Sequence, residues 1–149
     1  TMPLALRNSV WIVCCVLAAS LGSTAGAASQ PADPAPAFTQ RLADLINRYR
    51  ADKGLPPLVV EESLVSLAAE HSGHMAEQRQ MSHEGFRARA QSTYSRICVE
   101  NVATNFRTPE AVLQGWQLSP THERNLVEPK VMRMGIAART RYVTFFACL

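Results

Sequence analysis

The sequence predicts an α+β fold in which helices come first and a mostly antiparallel sheet follows. Three features predict it: two apolar stripes with helical spacing within residues 38–80, helix starts at Thr108 and Ser119, and strand-like runs at 131–139 and 142–148. Apolar helix stripes and apolar strand faces are stable only when they are buried against each other. We therefore expect one layered domain with its helices packed on the sheet.

The first two helices are predicted from apolar residues that recur every three or four positions. The first helix starts near Phe38 and ends at Gly54, ahead of Pro56-Pro57, which cannot continue a helix. The second helix runs from about Glu61 to Gln80. Its buried stripe consists of Leu64, Leu67, Ala68, His71 and Met75.

The second half of the chain combines short helices with strands. Residues 82–95 have no clear period and are predicted to form a surface loop with one helical turn, and residues 97–102 a short strand. Thr108 and Ser119 are each followed by proline, which is typical of a capped helix start. The helix after Ser119 places His122 in its first turn.

The first 37 residues are predicted to lie outside the folded domain. Residues 1–27 resemble a secretory signal peptide, with an apolar run of about a dozen residues before Ala25-Gly26-Ala27. A membrane anchor is the alternative, although a span needs roughly 20 apolar residues. Residues 28–37 are predicted to be a Pro/Ala-rich linker, and residues 38–149 the domain. We expect a secreted or periplasmic protein with no stable membrane span after cleavage.

The cysteines favour one disulfide. Cys14 and Cys15 lie in the predicted signal peptide, which leaves Cys98 and Cys148 in the domain. Two cysteines in a chain sent to an oxidising compartment are expected to pair. Two buried free thiols are the alternative.

Charge and length argue against several kinds of partner. The formal net charge of +3 falls to +2 when Arg7 leaves with the signal peptide, which is too small to predict nucleic acid or a membrane surface as the partner. About 120 of the 149 residues remain, enough for one domain with one core. The sequence predicts no oligomeric state.

Several short motifs follow one another in a recognisable order after residue 42. They are Asn47 to Arg50 with Gly54-Leu55-Pro56-Pro57-Leu58, Leu67-Ala68 with His71-Ser72 and Met75, His83, Glu100-Asn101-Val102-Ala103, Trp116 with Ser119-Pro120-Thr121-His122 and Asn125-Leu126, Met134-Gly135-Ile136, and Tyr142-Val143-Thr144. In this order they resemble the compact bacterial form of the CAP superfamily, the cysteine-rich secretory, antigen 5 and pathogenesis-related proteins. The resemblance covers residues 42–149. It implies a three-layer α-β-α sandwich with a small central antiparallel sheet and a shallow cavity.

The resemblance also implies which residues line that cavity. In the larger relatives it holds two histidines and two glutamates, of which His83 and Glu100 match one each. The other two family positions are Ser119 and Tyr142 in this chain, and the compact bacterial members instead offer the histidine of Ser-Pro-x-His, here His122. The predicted cavity residues are therefore His83, Glu100, His122, Ser119 and Tyr142.

Two imidazoles and one carboxylate suit zinc or another divalent metal. His83, Glu100 and His122 make a reasonable set of three ligands and leave a fourth position for water or substrate. Such a site supports a metal-dependent hydrolase that acts on peptide or ester bonds. No dense ligand motif of the His-Glu-x-x-His kind accompanies it. The alternative is a hydrogen-bonded polar cluster that ties the loop and the short helix to the sheet.

Two further groups of polar residues are predicted to have no site chemistry. His71 and His74 form a His-x-x-His pair, but His71 shares the apolar stripe of its helix and is predicted to be a core histidine with one satisfied nitrogen. Ser72, Ser82 and Ser119 have no nucleophile-elbow motif around them, so nucleophilic catalysis has little support.

The function favoured by these observations is a non-enzymatic binding module for a lipid, a peptide or a cell-envelope component. The predicted export signal and the two changed cavity positions support this hypothesis, and members of the family that the chain resembles are associated with sterol and lipid binding. The alternatives are the metal-dependent hydrolase and a plain structural scaffold at the cell surface.

Overall fold

A computed structural model describes residues 34–149 of the chain, with side chains from residue 36 onward. Its elements follow in the order α1 (Pro34–Asp52), β1 (Val59–Val60), α2 (Glu62–Gln78), α3 (Phe86–Ser92), β2 (Cys98–Thr104), α4 (Pro109–Gln117), α5 (Pro120–Leu126), β3 (Arg133–Arg139) and β4 (Tyr142–Cys148). The predicted signal peptide and all but the last four residues of the predicted linker lie outside the described residues. Within residues 34–149, no helix has the length and apolar character needed to cross a membrane.

The four strands form one sheet in the order β1-β3-β4-β2. β4 pairs antiparallel with both β3 and β2, whereas β1 pairs parallel with β3 through Val59 and Val60. The predicted α+β class is confirmed, with this one parallel pair added to an otherwise antiparallel sheet. The sequence did not predict β1, because a strand of two exposed residues shows no alternation.

Helices cover both faces of the sheet and complete the three-layer α-β-α sandwich. The larger core lies between α1, α4 and the sheet and includes Leu42, Ile46, Val112, Trp116 and Phe145. On the opposite face α2 packs through Leu64 against Phe146. A Cβ on Gly135 would fall 2.0 Å from the carbonyl carbon of Leu64, so α2 could not lie this close to β3 if another residue stood there.

Two helices extend further than predicted. α1 begins at Pro34, four residues before Phe38, because proline suits the first turn and the alanines beside it favour helix. α3 makes about two turns over Phe86–Ser92, where one was predicted. Its Phe86 packs edge-on against Phe146, with ring centroids 6.2 Å apart. Phe146 lies opposite Glu100 in the sheet, so α3 is attached beside that carboxylate.

Candidate functional site

Glu100 on β2 is the centre of the site, and its side chain is only 1% exposed. Arg89 of α3 donates hydrogen bonds from Nε to Oε2 at 3.0 Å, and from Nη2 to Oε2 at 2.7 Å and to Oε1 at 3.0 Å. The Nη1 of the same guanidinium donates to the backbone oxygen of Glu84 at 2.8 Å. Two-point contact between guanidinium and carboxylate is the strongest geometry for such a pair. The buried negative charge is therefore matched by a cation from the protein itself.

His83 makes the next contact with this carboxylate, from the loop before α3. Its Nδ1 lies 2.9 Å from Glu100 Oε1. Because an ionised carboxylate only accepts hydrogen bonds, Nδ1 is the donor in this pair, and Nε2 is left for other partners. The His83 side chain is 51% exposed, so the ring is accessible from solvent. Gly85, at φ 74°, permits the tight turn from His83 into α3.

His71 of α2 lies beneath this cluster and is fully buried. Its Nε2 lies 2.8 Å from the backbone oxygen of Ser82 and 3.7 Å from Glu100 Oε1. A carbonyl oxygen only accepts, so Nε2 is the protonated nitrogen, and burial lowers the pKa of His71 and keeps the ring neutral. The prediction of a core histidine with one satisfied nitrogen is confirmed. Its Nδ1 has no hydrogen-bond partner among the described residues.

His122 lies in the first turn of α5 and is half-buried. Burial, and after it the positive charge that His83 carries when protonated, lowers the pKa of His122. The two imidazoles are therefore close enough to influence each other electrostatically. The backbone oxygen of His122 accepts a hydrogen bond from Asn101 Nδ2 at 2.9 Å, which connects this turn to the residue after Glu100.

The other two predicted cavity residues, Ser119 and Tyr142, lie at the start of α5 and on β4. Ser119 is the residue before α5, where its backbone oxygen accepts from the Glu123 amide at 2.8 Å. Tyr142 is buried and pairs with Thr104 at the far end of β2, whereas Glu100 pairs with Phe146. Four residues along a strand correspond to about 13 Å. The structure therefore brings His83 and Glu100 into hydrogen-bond contact, brings His122 within electrostatic reach of His83, and places Tyr142 well away from the carboxylate along the sheet.

A small open cleft lies beside the cluster and has a volume of about 230 Å³. Its lining combines apolar and polar side chains, namely Phe86, Cys98 and Val99 with His83, Glu100 and Asn125. Pockets that enclose a drug-sized ligand usually have about 300–1,000 Å³. The cleft is therefore large enough for a headgroup or a single side chain, and too small to enclose a whole lipid.

Asn125 and Trp116 bind the strand that carries Glu100, and the sequence did not predict these contacts. Asn125 Nδ2 donates to the backbone oxygen of Glu100 at 3.0 Å and to Asn101 Oδ1 at 2.9 Å. Trp116 Nε1 donates to the backbone oxygen of Val102 at 3.1 Å. β2 is the last strand of the sheet, so these bonds satisfy edge carbonyls that would otherwise lack a partner. α4 and α5 thereby hold the strand that presents Glu100.

Arg89 is the site residue that sequence analysis missed. The segment 82–95 was predicted to be mostly loop, and an arginine in a loop is most often solvated. The one signal for its role is its position three residues after Phe86, which puts both on one face of α3. That signal becomes specific only when Phe86 is known to pack beside the strand of Glu100.

The arrangement around Glu100 does not fit a divalent metal ion. Within residues 34–149, no three histidine, cysteine, aspartate or glutamate side chains are grouped so that they could hold one. Arg89 already donates hydrogen bonds to both oxygens of the Glu100 carboxylate. Two unit charges of like sign about 4 Å apart repel by about 4 kcal/mol at the effective dielectric constant near a protein surface, and a divalent ion doubles that repulsion. The zinc site of His83, Glu100 and His122 stays a prediction, and it requires Arg89 to leave.

The predicted disulfide between Cys98 and Cys148 is present in the structure. The two residues lie directly opposite each other on β2 and β4, and Cys98 also lines the cleft. The bond joins the strand that carries Glu100 to the last strand of the chain. The alternative of two buried free thiols is not what the structure shows.

Comparisons with known proteins agree with this fold. The chain is 26% identical to an uncharacterised protein, YkwD, of Bacillus subtilis (strain 168), over 67% of this chain and 42% of the relative. It is similar in structure to an extracellular SCP-domain protein of Bacillus anthracis str. Ames, with a TM-score of 0.73, 25% identity and coverage of 80% of this chain and 45% of the other. It also resembles an outer surface protein of Borrelia burgdorferi, with a TM-score of 0.69, 19% identity and coverage of 78% of this chain and 94% of the other.

The chain spans less than half of the first two of these relatives. The profile of the CAP family, described as the cysteine-rich secretory protein family, matches residues 43–149. These residues include every strand, the second half of α1 and the whole cluster around Glu100. The chain therefore belongs to the CAP family of cysteine-rich secretory proteins.

Proposed function

We propose that this chain is an exported, non-enzymatic binding module. It takes a lipid headgroup, a peptide side chain or a cell-envelope component in the cleft beside His83 and Glu100. The observation that carries this proposal is that both oxygens of the buried Glu100 carboxylate already accept hydrogen bonds, from Arg89 and His83. Such a carboxylate is a poor general base and a poor metal ligand. Its hydrogen bonds do, however, keep the residues that line the cleft in fixed positions.

Export is supported by three observations of different kinds. Residues 1–27 have the pattern of a signal peptide. Two structural relatives are named as an extracellular protein and an outer surface protein. A disulfide persists in oxidising compartments and is rare in the cytosol.

The size and lining of the cleft narrow the class of ligand. At about 230 Å³ it holds a small group, and its lining offers both aromatic and polar contacts. The half-exposed His83 ring offers Nε2 as a hydrogen-bonding atom, since Nδ1 is bonded to Glu100. A group with one hydrogen-bonding atom and a small apolar part, such as an amide beside a methyl-bearing chain, suits these contacts.

Native mass spectrometry of the protein purified from its own periplasm or medium tests the proposal. We expect a retained small molecule in the wild type and its loss in His83→Ala. A dansyl-labelled fatty acid and a cell-wall tetrapeptide serve as separate titration probes for the lipid and peptide arms. The variant should weaken binding of the active probe about tenfold, as expected when one good hydrogen bond is lost.

His74→Ala is the matched control, because His74 is a partly exposed histidine of α2 that does not line this cleft. Equal binding by both variants would place the ligand elsewhere. A wild type that retains nothing and binds neither probe would instead favour the scaffold alternative.

The second candidate is the metal-dependent hydrolase, and one observation favours it. Burial lowers the pKa of His122 and so favours the neutral ring that a metal needs, and His83, which Glu100 orients, lies within electrostatic reach of it. If the chain is such a hydrolase, it should cleave a peptide or ester probe only in the presence of zinc. The substitutions His83→Ala and His122→Ala should each abolish this cleavage. Equal rates with zinc and with a chelator would exclude it.

A further inference from the structure

We propose that a second cleft of the domain binds a primary ammonium group, from a small alkylamine or from a lysine side chain. The cleft has a volume of about 290 Å³ and lies between α2 and residues 84–89. Its lining consists of Glu70, His71, His74, Glu84, Gly85 and Arg89. None of these residues lines the cleft beside His83, so the two clefts are separate sites.

The base of this second cleft holds a hydrogen-bond acceptor that lacks a donor. His71 is the most deeply buried of the lining residues, with 1% of its side chain exposed. Because its Nε2 donates to the backbone oxygen of Ser82 at 2.8 Å, Nδ1 carries the lone pair of the neutral ring. Nδ1 is buried and has no hydrogen-bond partner among the residues that the structure describes. A buried acceptor without a donor is unfavourable, so a ligand that donates to Nδ1 gains affinity from the contact.

Two carboxylates in the same lining lack a strong partner. Within residues 34–149, the Glu70 carboxylate has no hydrogen bond and no ion pair. Over the same range, the Glu84 carboxylate meets only the His74 ring, with 3.5 Å between Oε2 and Nε2. That distance is at the long limit for a hydrogen bond, and the Glu84 side chain is 75% exposed. Both carboxylates are therefore available to a cation that enters the cleft.

The one arginine in the lining does not satisfy these acceptors. Arg89 uses Nε and Nη2 on the Glu100 carboxylate and Nη1 on the backbone oxygen of Glu84. Its charge is therefore matched by Glu100, which lies outside this lining. The second cleft is left with two carboxylates and an imidazole lone pair, so it has an excess of acceptors and of negative charge.

A primary ammonium group supplies what this lining lacks. It carries a full positive charge and three N–H donors and has no acceptor, which matches two carboxylates and one imidazole lone pair. A neutral hydroxyl or water satisfies a lone pair but leaves the carboxylate charges unbalanced. A metal ion is not the cation in question, because within residues 34–149 no three suitable side chains are grouped to hold one. A chain of a few carbons behind the nitrogen fits the volume of the cleft.

Nuclear magnetic resonance of the ¹⁵N-labelled whole chain, titrated with n-butylamine at low salt, tests the proposal. At about pH 8, histidine rings are neutral and alkylamines are charged. We expect saturable binding in the millimolar range that moves the Nδ1 resonance of His71 in the direction of an acceptor gaining a hydrogen bond. Nα-acetyl-lysinamide forms the second arm. Binding of both probes supports a site for lysine side chains, and binding of butylamine alone supports a site for small amines.

Butyltrimethylammonium is the matched probe, because it keeps the charge and the alkyl chain and has no N–H. We expect it to bind about fivefold more weakly than n-butylamine and to leave the His71 Nδ1 resonance in place. Equal affinity of the two probes would show that no directed hydrogen bond is made. Butylamine that saturates without moving Nδ1, or a wild type with no saturable response, would also overturn the proposal.

Glu70→Gln and Glu84→Gln test the carboxylates, and both residues are exposed, so the fold does not depend on them. Each variant should weaken n-butylamine binding about fivefold. Glu62→Gln is the matched control, because Glu62 is an exposed glutamate of α2 about 12 Å along the helix from Glu70. It removes the same charge and should leave the affinity unchanged. An equal loss in all three variants would assign the binding to the general charge of the chain and would contradict a site in this cleft.

Discussion

At the scale of single residues, the cluster around Glu100 is a buried ion pair completed by hydrogen bonds. Burying two charges costs several kcal/mol per ion, and the mutual attraction offsets this only when the geometry is good. Arg89 and His83 provide that geometry, because both carboxylate oxygens have donors at 3.0 Å or less. The cluster thereby connects α3 and the loop before it to β2.

The buried, neutral His71 should make stability depend on pH in one direction. Burial lowers the pKa of His71 in the folded chain, whereas in the unfolded chain the pKa is about 6.5. The unfolded chain therefore binds a proton that the folded chain does not. We expect the free energy of unfolding to fall as pH decreases from about 6.5 through the folded pKa, by at most about 1.4 kcal/mol per pH unit from this residue.

Urea unfolding at pH 7.5, 6.5 and 5.5 measures this effect in wild type and in His71→Gln. Glutamine keeps a donor for the Ser82 carbonyl and does not titrate. The groups that face His71, namely Glu100, Arg89 and His83, remain in the variant. A pH dependence that is identical in the two proteins would show that His71 does not titrate on unfolding. His122, whose pKa burial also lowers, contributes a change of the same sign in both proteins.

At the scale of elements, α4 and α5 act as the cover of an edge strand. β2 is at one end of the sheet and has an exposed row of backbone groups unless another element meets it. Trp116 and Asn125 bind the carbonyls of Val102 and Glu100, and Asn101 binds back to His122. The same bonds that complete the sheet fix the turn of α5 that carries His122.

Trp116→Phe should destabilise the fold mainly by leaving the Val102 carbonyl without a donor. Trp116 is almost fully buried, so water cannot replace its N–H. We expect a loss of about 1–3 kcal/mol in the free energy of unfolding, measured with urea, and somewhat more if the smaller ring leaves a cavity. Leu118→Ala is the control, because Leu118 is 79% exposed at the end of the same helix. Equal stability of the two variants would contradict this role for the indole N–H.

The short elements α3 and β1 show where the local sequence pattern was not enough to predict the structure. α3 was predicted as a single turn because its apolar residues, Phe86, Ala88 and Ala90, are few and alternate instead of following a helical period. β1 has two exposed valines, and only its parallel pairing with β3 makes it a strand. In both cases the neighbouring sheet, more than the segment's own sequence, stabilises the element.

At the scale of the whole molecule, the disulfide closes a large part of the domain. Cys98 and Cys148 are 50 residues apart, and the segment between them includes α4, α5 and three strands. Cross-linking a loop of this length lowers the entropy of the unfolded chain by an amount worth about 4 kcal/mol, an upper value in the chain-entropy model. A small domain of this size depends on such a contribution more than a large one.

Cys98→Ser combined with Cys148→Ser should lower the free energy of unfolding by about 2–4 kcal/mol. Urea unfolding with and without dithiothreitol measures the loss. Reductant should destabilise the wild type by a similar amount and leave the double variant unchanged. Thiol titration of the oxidised folded protein is expected to find neither cysteine free, and two reactive thiols would contradict the bond.

Several properties were determined by the sequence alone. Helix periods, the proline-marked starts of α4 and α5, and the apolar strand-like runs of β3 and β4 are local, so they predicted the fold class and most element bounds. The order of short motifs predicted the family, and the pairing of Cys98 with Cys148 followed from their number. The same motif order put His83 and Glu100 in one predicted cavity, and the two side chains are hydrogen-bonded in the structure.

Only the tertiary structure decided what else Glu100 contacts. The arginine that neutralises it is 11 residues away along the chain, the asparagine that binds its carbonyl is 25 away, and the Trp116 bond to β2 spans 14. Contacts of this kind depend on how α3, α4 and α5 pack against one edge of the sheet, and no local pattern encodes that packing. The same physical reason explains why three residues suited to zinc, His83, Glu100 and His122, were predicted as a metal site, while the folded chain places a guanidinium against the carboxylate of Glu100.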